Sequence, residues 1–85
     1  MESNELMRKH LQRREELARI VTVKDGVITI NVAYEYHISL DRCRDFGEIL
    51  NWVVHLTEKS WMTTDILRYF IKVACTQNDL EIPNA

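Results

Sequence analysis

Large apolar side chains alternate with small or polar ones along residues 27–40, VITINVAYEYHISL. In an extended chain the even-numbered residues, from Ile28 to Leu40, share one face, and the odd-numbered residues share the other. A period of two is typical of a half-buried strand. The pattern therefore predicts a single long strand over residues 27–40.

A shorter β-branched run at residues 20–23 precedes this strand. An Asp-Gly pair at positions 25 and 26 lies between the run and the strand. Asp-Gly is favoured in the two-residue type I′ turn, because both residues tolerate positive φ. The resulting hairpin brings the apolar side chains of both strands onto one face. The predicted register is Lys24 opposite Val27, Val23 opposite Ile28, Thr22 opposite Thr29 and Val21 opposite Ile30.

The two strands of this hairpin differ in length, so residues 32–40 have no predicted neighbour. A third strand at residues 80–82 is too short to cover them. An uncovered strand exposes N–H and C=O groups that soluble proteins normally pair or cover. The segment with Tyr34, Glu35, Tyr36 and His37 is therefore a predicted interface.

Three segments have the composition and capping residues of helices, and residues 78–85 form a tail. Ser3 is a candidate N-cap for the first helix. The second begins with the capping-box pair Asp45 and Glu48. Thr63 or Thr64 can cap the third. The predicted helices are residues 3–19, 45–59 and 64–77.

When residues are placed 100° apart around a helix, apolar residues cover about 200° of the circumference of the second helix and about 200° of that of the third. The first helix has only a thin apolar stripe and cannot cover both. We therefore predict an α+β domain that forms a homodimer, with an N-terminal helix, a β-hairpin with a long second strand and two C-terminal helices. Trp52, Leu56 and Tyr69 complete its predicted interface.

The composition is that of one folded domain over residues 1–85, with 46% hydrophobic and 28% charged residues. The net charge of −2 gives no general attraction to nucleic acid or to an anionic membrane. No apolar run or signal peptide indicates a membrane partner or export, so we expect a cytoplasmic protein. Cys43 and Cys75 are accordingly predicted to be reduced thiols.

No pattern of catalytic, metal-binding or cofactor-binding residues stands out, so we expect neither an enzyme nor a small-molecule substrate. The His and Cys residues lack the paired spacing of zinc ligands, and neither glycine lies in a phosphate-binding motif. Glu35 and His37 are two residues apart, so their side chains point to the same face of the strand. They could form a pH-sensitive contact or a catalytic pair, or they could be two solvated residues on the outer face of the sheet. The candidate metal ligands are His10, His37, His55, Cys43 and Cys75.

The alternative function is a DNA-binding regulator. The basic run Arg8, Lys9, Arg13 and Arg14 is a candidate nucleic-acid contact, although nearby Glu residues offset its charge. The last two helices could also form a helix-turn-helix. The third helix, however, begins with Thr and Asp where Arg, Lys, Asn or Gln would contact bases.

The stretches AYEYHISLDRC and ILNWVVHLTEKSWMTTDILRYFI lie within residues 33–71. They resemble small accessory proteins of bacteriophages and prophages. This resemblance implies a compact, non-enzymatic protein that binds a host protein and inhibits or modulates it. The predicted partners are a second copy of the chain and another protein.

Overall fold

The computed structural model describes residues 2–81, and it has the predicted α+β class. None of its described helices has the length and apolar character needed to cross a membrane. Residues 82–85, which include the end of the predicted tail and of the strand at 80–82, lie outside the described part. The elements are α1 (Glu2–Ile20), β1 (Val21–Lys24), β2 (Val27–Asn31), β3 (Glu35–Ser39), a 3-10 turn (Leu40–Arg42), α2 (Phe46–Thr57) and α3 (Thr64–Gln77).

The helices α2 and α3 begin at predicted capping residues. The Asp45 carboxylate accepts a hydrogen bond of 2.8 Å from the N–H of Glu48. The Thr63 hydroxyl accepts one of 3.3 Å from the N–H of Ile66. Each cap satisfies an N–H that has no partner within its helix. Ser3 lies inside α1, which begins at Glu2, so the predicted N-cap there is wrong.

The three strands form an antiparallel sheet in the order β1-β2-β3. The register of β1 with β2 matches all four predicted pairs, from Val21 opposite Ile30 to Lys24 opposite Val27. The two turn residues have φ angles of 52° and 75°, as a type I′ turn requires. The first hairpin is therefore confirmed.

The predicted long strand over residues 27–40 is wrong. The chain bends at residues 32–34, and β3 runs back along β2 with Asn31 opposite Glu35 and Ile28 opposite Ile38. Each even-numbered residue of β2 pairs with an even-numbered residue of β3. Even-numbered side chains therefore point to the same face of the sheet before and after the bend. The segment predicted to lack a neighbour thus pairs within the chain, and residues 80–81 form no strand.

One face of the sheet is buried against the helices, giving a two-layer domain. The other face carries exposed or half-buried polar residues, including Thr29 and His37. The buried core consists of Leu17, Val21, Ile28, Ile30, Ile38, Cys43, Ile49, Leu56, Ile66, Phe70, Ala74 and Cys75.

A side-chain amide joins the end of α3 to the 3-10 turn. The Asn78 Nδ2 donates hydrogen bonds to the carbonyl oxygens of Leu40, at 3.2 Å, and of Cys43, at 2.8 Å. These two carbonyl groups lie more than thirty residues away in sequence. Asn78 therefore holds the link between the sheet and α2 against the C-terminus of α3.

The end of α3 has the geometry of a Schellman motif. Asp79 has a φ of 55°. The N–H of Leu80 donates to the Cys75 carbonyl oxygen at 2.8 Å, and the N–H of Asp79 donates to that of Thr76 at 3.4 Å. The left-handed residue thus lies at the position where glycine is most common.

Both cysteines are free and buried. Burial raises the pKa of the Cys43 thiol from 9.0 to about 11, with smaller contributions from Glu48 and Cys75. Burial also raises the pKa of Cys75. The Cys43 Sγ lies 3.7 Å from the Ser39 carbonyl oxygen, to which it donates. Both thiols are therefore poor nucleophiles in the folded protein.

Candidate interaction surfaces

Four aromatic side chains, which we call the aromatic corner, pack where β3 approaches the link between α2 and α3. The ring centroids of Tyr34 and Trp61 lie 5.8 Å apart, and those of Tyr36 and Trp61 lie 5.9 Å apart. Trp52 contacts Tyr36 edge to face at 6.5 Å. The Lys59 Nζ lies 5.3 Å from the centre of the Tyr36 ring. Such contacts stabilise the bend before β3.

The aromatic corner contains three residues of the predicted interface, Tyr34, Tyr36 and Trp52. Contacts within the chain bury most of Tyr36 and Trp52, whereas Tyr34 keeps 50% of its surface exposed. The Trp52 Nε1 donates a 3.1 Å hydrogen bond to the Arg42 carbonyl oxygen, so its polar atom is satisfied. Tyr34 is therefore the member of this corner best placed to contact another molecule.

Glu35 and His37 lie side by side on the open face of the sheet, as the strand period predicted. The Nε2 of His37 is 3.7 Å from the Oε2 of Glu35, and its Nδ1 is 3.0 Å from the Oγ1 of Thr29. Both side chains are exposed. Within residues 2–81, no group of three or more His, Cys, Asp or Glu side chains could hold a metal ion. This pair is a small surface network of polar groups.

Two other residues of the predicted interface lie apart from the aromatic corner. Leu56 is fully buried, so its prediction as a contact residue is wrong. With residues 100° apart, Leu56 lies about 40° from the Trp52 edge of the apolar arc of α2, and this side of the arc faces the core. Tyr69 is half-buried and lies in a groove between α1 and α3.

The apolar residues that α2 does expose lie in the half of its arc that is farther from Trp52. Phe46, Leu50 and Val54, which we call the α2 stripe, are 47%, 62% and 54% exposed. Their spacing of four residues places them in a row along the helix. The wide arc was the sequence signal for this surface, but it did not identify which edge stays uncovered. On α1, Met7 and Leu11 are also exposed.

The groove between α1 and α3 has a volume of about 710 Å³, and we call it the basic groove. Both helices contribute residues at positions i, i+3, i+4 and i+7, which share one helical face. The groove joins part of the basic run in α1 to two cations of α3. Its lining consists of His10, Arg13, Arg14 and Leu17 from α1, and Asp65, Arg68, Tyr69 and Lys72 from α3.

Arg13 is already engaged within the basic groove. Its Nε donates to Asp65 at 2.9 Å, and its Nη1 donates to Glu16 at 3.0 Å. These contacts, chiefly the hydrogen bond to Asp65, raise the pKa of the guanidinium. Of the four predicted nucleic-acid contacts, Arg8 and Lys9 lie outside the groove lining. Arg14 is the remaining member of that run with a place in the groove.

The basic groove continues toward the sheet as an apolar extension with a volume of about 540 Å³. The two parts share Tyr69 and Lys72, so they form one surface along α3. The wall opposite α3 changes from α1 to the edge strand β1. The extension is lined further by Ala18, Val21, Thr22, Val23, Val73, Thr76 and Gln77.

Comparison of the chain with protein-family models, with characterised proteins and with solved structures finds no match.

Proposed function

We propose that this protein is a small, non-enzymatic protein-binding module that acts as a homodimer. The observation that carries the proposal is the α2 stripe, three large apolar side chains in one row, each about half-exposed or more. Contiguous apolar side chains on a protein surface mark sites of association. Pairing with a second copy is not needed to give residues 35–39 a neighbouring strand, because β3 pairs with β2.

A second copy of α2 suits this stripe. Antiparallel packing about a two-fold axis at Leu50 brings Phe46 of one copy against Val54 of the other. The two copies then use the same patch, which is the commonest symmetry of homo-oligomers. Rows at a spacing of four residues interlock with one another in the most frequent class of helix packing. Antiparallel helices also place opposite ends of their dipoles together.

The resemblance of residues 33–71 to phage accessory proteins supports the same class of function. It implies binding to a host protein, with inhibition or modulation as the result, in the cytoplasm. Tyr34 offers such a partner a rigid aromatic side chain at the rim of the aromatic corner. Aromatic residues of this kind often account for much of the binding energy of an interface.

Sedimentation equilibrium at protein concentrations from about 1 to about 100 µM tests the self-association. We expect a dimer of the wild-type chain, weakened at least tenfold in Leu50→Glu, because the substitution places an unpaired charge in the contact. His55→Glu adds the same charge on the polar side of α2 and should leave the dimer intact. Circular dichroism confirms that each variant is folded.

A wild-type chain that stays monomeric at about 100 µM would remove the homodimer from the proposal. Equal dimerisation of the wild type and Leu50→Glu would instead show that another surface forms the contact.

A further inference from the structure

We propose that the basic groove and its apolar extension together bind an acidic, amphipathic helical segment of a partner protein. This site goes beyond the proposed self-contact, because it shares no residue with the α2 stripe.

The basic groove concentrates positive charge in a chain that is acidic elsewhere. Its lining holds three Arg and one Lys against a single Asp, which is a net charge of +3 with His10 neutral. Since the whole chain has a net charge of −2, the remainder carries −5. A groove of one sign attracts ligands of the other sign and holds them in one orientation.

Three of these cations are open to a ligand. The Arg13 guanidinium binds Asp65 and so neutralises the acidic group of the lining. In the described part of the chain, no salt bridge involves Arg14, Arg68 or Lys72. All three are exposed. Arg side chains in particular form paired hydrogen bonds with carboxylates.

The length of the surface fits a helix. The wall formed by α3 has 14 residues, which is about 21 Å at a rise of 1.5 Å per residue. A ligand helix of about four turns would run along it. Its acidic end would face Arg14 and Arg68, and its apolar side would contact Val23 and Val73. Amphipathic helices commonly bind apolar grooves in this way.

The extension argues against a nucleic acid as the occupant. It contains one cation, Lys72, and the rest of its lining is uncharged, with four aliphatic residues, Ala18, Val21, Val23 and Val73. Phosphates would therefore contact only the basic half of the surface, and Asp65 stands beside that half. The affinity of nucleic acids depends mainly on the number of phosphates that are neutralised.

A second copy of the chain is a weaker candidate than a foreign segment. The helix α2 and its capping residues offer apolar side chains together with Asp45, Glu48 and Glu58, so their charge would suit the groove. Such a contact joins two different patches, however, and repeats from copy to copy unless it closes into a ring. A separate partner occupies the groove without that consequence.

Fluorescence anisotropy with labelled peptides of about 16 residues tests the proposal, each with Leu at helical spacing along one face. The acidic probe has Glu at its other positions, and the basic probe has Lys. We expect the acidic probe to bind at least tenfold more tightly in low salt. The double variant Arg68→Glu with Lys72→Glu should reverse this preference.

Lys24→Glu with Arg42→Glu is the matched control, because it makes the same change in net charge outside the groove and its extension. This control and Leu50→Glu should both bind the acidic probe as the wild type does. A loss of dimerisation through the α2 stripe is thereby distinguished from a loss of peptide binding in the groove. A single-stranded and a duplex DNA of about 16 nucleotides per strand serve as polyanions without an apolar face.

Four outcomes would overturn the proposal. Tighter binding of either DNA than of the acidic probe would make the groove a nucleic-acid site. If the groove variant and its control lose affinity for the acidic probe equally, the net charge of the protein explains the binding and the groove does not. Self-association abolished by the groove variant would make α2 of a second copy the occupant. No binding of the acidic probe at about 1 mM would leave the groove without this function.

Discussion

The raised pKa of Cys43 makes the stability of the fold depend on pH above neutrality. The thiol is fully buried and has a pKa of about 11 when the chain is folded, against 9.0 when it is exposed. Between these values the unfolded state releases a proton that the folded state retains. The free energy of unfolding therefore falls as the pH rises, and the contribution is complete only below pH 9.

The size of this effect follows from the two pKa values of Cys43. Their difference corresponds to a loss of about 1.4 kcal/mol by about pH 10 and of about 2.3 kcal/mol by about pH 11. A chain of this size is only marginally stable, so such a loss is a large part of the total. We expect urea midpoints to fall accordingly.

Urea unfolding of the wild type and of Cys43→Ala, followed by tryptophan fluorescence in the presence of a reductant, measures the effect. Cys43→Ala lowers stability at every pH through the lost packing, but it removes the steep fall between about pH 9 and about pH 11. Tyrosine and lysine ionisation affects both proteins alike, so the difference between the two curves isolates the thiol. If the free energies of unfolding of the two proteins fall in parallel as the pH rises, the burial of Cys43 is refuted.

The remaining expectations concern backbone geometry and are measured by urea unfolding near neutral pH. Asn78→Ala should lower the free energy of unfolding by about 1–3 kcal/mol, because the carbonyl oxygen of Cys43 loses its donor and that of Leu40 keeps only the N–H of Cys43. Exposed Asn51→Ala is the control, and equal costs would contradict the role of Asn78. Gly26→Ala meets no neighbouring atom, so its positive φ alone should cost about 1 kcal/mol. Asp79→Gly should stabilise the protein by about 0.5 kcal/mol, and a loss would argue against the Schellman motif.

The local chemistry of the sequence predicted much of the fold. The Asp-Gly turn set the register of the first hairpin, and Asp45 and Thr63 marked the starts of α2 and α3. The second hairpin was missed because three residues join its strands, which keeps side chains of the same parity on the same face. The bend VAY also lacks Gly, Pro, Asn and Asp, the usual residues of turns. Periodicity alone could not separate one long strand from two.

The candidate surfaces depend on which helices become neighbours, and the sequence does not specify this. The residues His10, Arg14, Arg68 and Lys72 lie on suitable faces of α1 and α3, but only packing places those faces together. Leu50 was part of a recognised apolar arc, yet the edge that remains exposed depends on where α2 meets the sheet. The burial of Leu56 has the same origin.

The sheet joins each strand to its neighbour in sequence, and this order has a consequence for folding kinetics. The most distant pair in the sheet, Val27 with Ser39, is separated by twelve residues. Closing such short loops costs little conformational entropy, and chains with local contacts fold quickly. The segment of residues 21–39 can therefore form early as a β-meander, onto which the flanking helices then dock. Substitutions in the Asp-Gly turn should accordingly slow folding more than they accelerate unfolding.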